Sequence, residues 1–139
     1  MLSENFLTTD FYYSKNKEDL TKNQTLFCLL DKELLHLILD FMLELEENGF
    51  NKYGFLVREA HRHPFYNYVK GGASRSQHIY GTAADLTIED INEDGIISDI
   101  DKDIALEILE NLIGNKGGMG VYPGTRTIHI DTRGHRARW

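Results

Sequence analysis

The sequence predicts an α+β fold, a small antiparallel sheet with helices packed against it. Three observations carry that prediction. Residues 31–49 and 101–113 place apolar side chains at spacings of three and four, the period of a helix face. Residues 53–59, 84–88, 119–122 and 126–131 are short runs rich in branched and aromatic residues, the composition of strands. Turn signals separate the runs, with Pro123-Gly124 between the last two.

The first thirty residues mix Phe6, Phe11, Tyr12 and Tyr13 with polar neighbours and read as a wrapped arm with a short helix. The helix over 31–49 can start on Asp31 as its cap and stop at Gly49. Its inward stripe is Leu34, Leu35, Ile38, Leu39, Met42 and Leu45. Glu44, Glu46 and Glu47 oppose the helix dipole, so packing must hold that end. Residues 60–72, with Pro64, Asn67 and Gly71-Gly72, read as a loop. In the helix over 101–113, Ile104, Ile108, Leu109, Leu112 and Ile113 point inward and Gly114 follows.

A chain of 139 residues fits one domain, 1–139, with a sizeable core. The lone Cys28 lies in an apolar run and reads as a small buried hydrophobe. The first residues lack a basic region followed by an apolar stretch, and no apolar run is long enough to span a bilayer. The expectation is a soluble monomer made in the cytoplasm, with no membrane partner. The formal net charge is −7 with no basic block, which argues against nucleic acid as a partner. The charge is uneven: residues 89–103 hold seven acids and one lysine, and residues 116–139 five Lys/Arg and one acid.

The stretch SRSQHIYGTAAD, residues 74–85, sets His78 and Asp85 on either side of a small-residue run. Both are residue types that bind zinc, and a catalytic zinc takes three protein ligands. The best third candidate is His129 in Ile128-His129-Ile130-Asp131. Strand alternation there puts the isoleucines on one face and His129 with Asp131 on the other. Asp131 is then placed to orient a ligand or hold a water. A triad of Ser76, His78 and Asp85 is disfavoured, because no nucleophile-elbow sequence is present.

In this order and spacing, GGASRSQHIYGTAAD, GMGVYP and HIDTRGHRARW resemble the M15 zinc peptidases. Within that family the sequence resembles the D-Ala-D-Ala carboxypeptidase-like and murein-endopeptidase branch common in phages and bacteria. The resemblance extends to LSENFLTTDF and HRHPFYN and covers most of the chain outside residues 89–101. It implies a hedgehog/DD-peptidase-like fold, zinc on His78, Asp85 and His129, and a peptidoglycan peptide as substrate. The family's substrate-side arginine falls on Arg62. Many members carry an acidic general base three residues before the last histidine, where this chain has Arg126. Asp131 is the favoured replacement, with Glu59, His61 and His135 as alternatives. A phage endolysin role, released to the wall through another protein's pore, is consistent with the N-terminus. The competing expectation is a non-catalytic zinc-binding wall- or protein-interaction module.

DINEDGIISDID, residues 90–101, matches a twelve-residue calcium loop. Asp90, Asn92 and Asp94 stand at positions 1, 3 and 5, Gly95 at 6, and Ile96 at 7 offers a carbonyl. Asp101 at 12 replaces the usual Glu, as in dockerin-type loops. Calcium is the expected second cofactor, relieving the mutual repulsion of the acids.

Overall fold

The computed structural model describes residues 12–13 and 30–139. Its elements, in chain order, are β1 (Tyr12–Tyr13), α1 (Lys32–Glu47), β2 (Phe55–Glu59), β3 (His61–Arg62), α2 (Pro64–Val69), β4 (Ala83–Ile88), α3 (Asp99–Ile113), β5 (Gly118–Val121), β6 (Thr127–Asp131) and β7 (Ala137–Arg138). The short helix expected in the first thirty residues, and Cys28, lie outside the described residues.

The fold is α+β, as the apolar periods require. Five strands form one sheet in the order β2-β4-β6-β5-β7, antiparallel except for the β5–β7 pair. A separate parallel pair joins β1 to β3. β4 lies second in the sheet and nearly all its residues are buried, which explains its small side chains: Ala83 and Ala84 are fully enclosed. The apolar core lies where α1 and α3 cover one face of the sheet. α1 contributes Leu34, Ile38, Phe41, Met42 and Leu45. Leu39, expected inward, is 41% exposed, and Phe41 takes its place, its ring 4.9 Å from that of Phe55.

The α1 boundaries follow the sequence within two residues and Asp31 is the N-cap residue, but its side chain makes no capping hydrogen bond. Its carboxylate accepts instead from the Thr132 hydroxyl at 2.8 Å, tying the helix start to the segment after β6. At the far end Gly49 adopts φ +78° while Phe50 N–H donates to Leu45 O, the left-handed exit that glycine allows.

Residues 60–72, expected as a loop, contain β3 and α2. Pro64 suggested a break, but it occupies the first turn of α2, where its missing N–H costs nothing. His63 Nδ1 accepts the next free amide, from Phe65 at 3.2 Å. α3 starts two residues earlier than expected, because Ser98 and Asp101 form a capping box. Lys102 then reaches across to the carbonyls of Tyr122 and Thr125, pinning the β5–β6 turn. No helix among the described residues is long and apolar enough to cross a membrane.

Candidate metal centre

Antiparallel register builds the site. Residues directly opposite one another share a face, and Asp85 on β4 is the direct partner of His129 on β6. The row continues to Glu59 on β2 and to Gly120 on β5. The core-side alternates are Ile128 and Ile130, as strand alternation predicts. His78 comes from the turn before β4. Gly81, at φ +70°, reverses the chain there, and its carbonyl is held by Asp31 N–H.

These elements bring the three expected ligands together. His78 Nε2 lies 3.3 Å and His129 Nδ1 3.1 Å from Asp85 Oδ1. Among the described residues, this is the one grouping of three His, Cys, Asp or Glu whose ligand atoms all lie within 4.8 Å. The donor set fits zinc. Bonds of about 2.0–2.1 Å in a tetrahedron give edges of about 3.3 Å, close to the two separations here. The other nitrogen of each imidazole is engaged: His78 Nδ1 with Ala60 O at 2.7 Å, and His129 Nε2 with Asp131 Oδ2 at 2.9 Å. Such partners fix the tautomer and aim the free nitrogen at the ligand position. Burial by itself would push the Asp85 carboxyl up, but the His129 and His78 imidazoles outweigh it and hold the group well below the usual carboxylate range. It therefore stays ionised, as a ligand must.

Asp131, expected foremost as the general base, meets His129 at Nε2, the ring nitrogen that does not face Asp85. It is fully buried behind His129. Oδ1 accepts from Gly118 N–H, Arg133 N–H and Arg133 Nε, and Oδ2 from an Arg133 terminal nitrogen at 2.6 Å and the His129 ring. Burial opposes its ionisation, but His129 and Arg133 prevail and keep its pKa far below the ordinary value. This is the geometry of a carboxylate that orients a ligand, and neither oxygen is turned out to a substrate.

Arg62 lines the same cleft of about 430 Å³ as the three ligands, together with Arg75, Tyr122, Arg133 and Trp139. Its guanidinium is already engaged, by Glu59 through Nε and a terminal nitrogen and by Asn67 Oδ1 at 2.8 Å. Glu59 also pairs with Lys70 at 2.9 Å and lines a neighbouring cavity shared with Asp85 and Arg126. His61 is buried under β1 pairing, and burial with the nearby His63 lowers its pKa. His135 is exposed, and neither it nor His61 lines the cleft. Arg126 pairs with Glu89 at 3.1 Å.

The sequence reading missed Tyr122 and Trp139. Burial, with Asp85 adding to it, pushes the Tyr122 phenol up, so it is a proton-bearing hydroxyl in the cleft. The available signal was the pair of glycines in Gly118-Met119-Gly120. A Cβ at Gly118 would strike the Asp131 carboxylate, and one at Gly120 would lie 2.6 Å from the Trp139 ring.

In the 90–101 loop, the expected calcium ligands are occupied with the loop's own amides. Asp90 accepts from the N–H groups of Asp94 and Gly95, Asn92 from Asp94, and Asp94 from Ile96. Asp101 is fully buried, accepting from Ile91, Asn92 and the Ser98 N–H and hydroxyl. Asp101 thus joins the loop's start to the α3 N-terminus.

The His₂Asp donor triangle at one edge of an open cleft is a set of side chains able to hold one metal ion. A family model described as Peptidase M15 matches residues 16–131, and the chain belongs to that peptidase family. Members are typically zinc-dependent. Among curated proteins, and among solved structures, nothing matches significantly.

Proposed function

We propose that the chain is a zinc-dependent peptidase that hydrolyses an amide bond in peptidoglycan stem peptides. The observation that carries this reading is the His78–Asp85–His129 triangle, with two of its members locked in direct cross-strand register. Zinc held there would polarise the scissile carbonyl and lower the pKa of a water. Asp131 keeps the His129 ring in place and Ala60 O does the same for His78. The Arg62 guanidinium presents positive charge to the cleft while bracing Glu59. The Tyr122 hydroxyl is positioned to donate to oxygen as charge develops on the carbonyl. A phage-type lytic role at the wall goes with this reading.

Purified peptidoglycan incubated with the zinc-loaded protein should release new amino groups, and a zinc chelator should stop the release. A zinc-loaded protein that binds walls but frees no amine would favour a non-catalytic zinc module. One observation favours that second reading: among the described residues, the cleft lining holds no carboxylate besides Asp85.

We also propose that the 90–101 loop takes calcium. The support is the gathering of Asp90, Asn92 and Asp94 oxygens around the turn at Gly95, φ +83°. The loop's internal hydrogen bonds hold it without an ion, so calcium acts by binding a preformed fold. At a hundredfold excess over its dissociation constant it adds about 2.7 kcal/mol. Millimolar calcium should raise the melting temperature of the zinc-loaded protein more than magnesium does, and Asp90→Ala with Asp94→Ala should remove the response. Equal melting temperatures with calcium and with a calcium-selective chelator would reduce the loop to an acidic turn.

A further inference from the structure

The segment after β6 leaves the sheet, turns at Gly134 and returns as β7 on the β5 edge. It ends with Trp139 against the metal centre. Backbone bonds fasten it: Trp139 N–H to Met119 O at 3.3 Å and Val121 N–H to Trp139 O at 2.7 Å. Side chains fasten it again, because Arg136 and Arg138 both grip Glu110 on α3 and hold its carboxyl down to about 2. Arg138 also donates to the carbonyls of Gly114 and Gly117. These residues lie beyond the stretch matched by the family model.

The register shows what the strap delivers. The row Glu59–Asp85–His129–Gly120 crosses four strands, and Gly120 leaves a vacancy beside His129. The Trp139 indole fills it. Its ring centroid is 5.0 Å from that of His129, tilted by 49°, and a Cβ at Gly120 would collide with the indole at 2.6 Å. The Arg133 guanidinium, which holds Asp131, lies 5.1 Å from the centre of the indole ring. Trp139 nevertheless stays 51% exposed and lines the cleft.

The geometry points to Trp139 as a positioning residue for the metal ligand His129. The Asp131 bond fixes one edge of the imidazole but leaves the ring free to tilt about that bond. The indole closes one side and removes water from it, so His129 meets the metal in one orientation. Trp139 also braces the Arg133–Asp131 pair behind the ring. This inference rests on the assignment of His78, Asp85 and His129 as metal ligands, and not on which bond is cut.

Trp139 is the one tryptophan in the chain, so tryptophan emission comes from this site alone. Metal-free protein titrated with zinc should show an emission change that saturates at about one equivalent. Competition with a chromogenic chelator should show Trp139→Ala binding zinc on the order of 10-fold more weakly, with Trp139→Phe restoring most of the affinity. Gly120→Ala keeps the indole but displaces it. It should weaken zinc to a similar degree and blunt the emission change, and combining it with Trp139→Ala should add little further. Wild-type zinc affinity in both Trp139→Ala and Gly120→Ala would overturn the assignment, as would an emission indifferent to zinc that is bound. A wild type that binds no zinc overturns the metal-site reading itself, and one that binds zinc with the expected emission change but cuts no wall peptide overturns only the peptidase reading.

Discussion

Asp131→Asn is expected to keep the fold and to bind zinc on the order of 10- to 100-fold more weakly than the wild type. The amide that replaces one carboxylate oxygen brings N–H donors to a place where His129, Arg133 and Gly118 already donate. The His129 ring loses its charged partner and Arg133 loses its counter-ion. Chelator competition measures the affinity directly. If Asp131 acted as general base, the variant would keep wild-type zinc affinity and lose hydrolysis by about 100-fold or more. Its complete burial and five donors argue for the first outcome.

Arg133→Ala is expected to destabilise the metal-free protein by roughly 3 kcal/mol, since it strips the fork from a fully buried carboxylate and leaves that charge underpaired. The effect should appear in denaturant unfolding with chelator present, where zinc contributes nothing to stability. Arg133→Lys keeps the charge but loses the planar two-point contact, so it should recover only part of the loss. An Arg133→Ala protein as stable as the wild type would show that Gly118 N–H and His129 suffice to hold Asp131.

The grouping of His78, Asp85 and His129 was legible from the motifs taken together in their order and spacing, since neither the His78–Asp85 spacing nor the His129 strand is specific alone. His129 alternates with isoleucines in a short strand, and the strand's period fixes its face. His78 and Asp85 flank a turn whose Gly81 needs a left-handed φ. Depth was not legible. Alternation places Asp131 on the same face as His129 but is silent on which side of the ring the cleft opens, so an orienting carboxylate and a base look alike. The role expected of Arg62 came from the family resemblance, without sight of Glu59 and Asn67, which the fold brings to its guanidinium.

The missed elements share a cause. α2 is six residues long and opens with proline, so neither a period nor a propensity reveals it. β7 has two residues and pairs in parallel, which depends on the return path of the chain and not on local composition. Gly118 and Gly120 lie on β5, and local composition does not reveal their role. Their meaning lies in what occupies the missing side-chain volume, a carboxylate in one case and an indole in the other. The capping box at Ser98 and Asp101 was likewise hidden beneath the calcium-loop pattern, although it obeys the same spacing.

Metal content tests the central claim most directly. Elemental analysis of purified, dialysed protein should find about one zinc per chain in the wild type and a loss of most of it in His78→Ala and His129→Ala, with hydrolysis of wall peptides lost alongside. A His129→Ala protein that retains full zinc occupancy, or a metal-free wild type that cuts wall peptides at the full rate, would contradict the account.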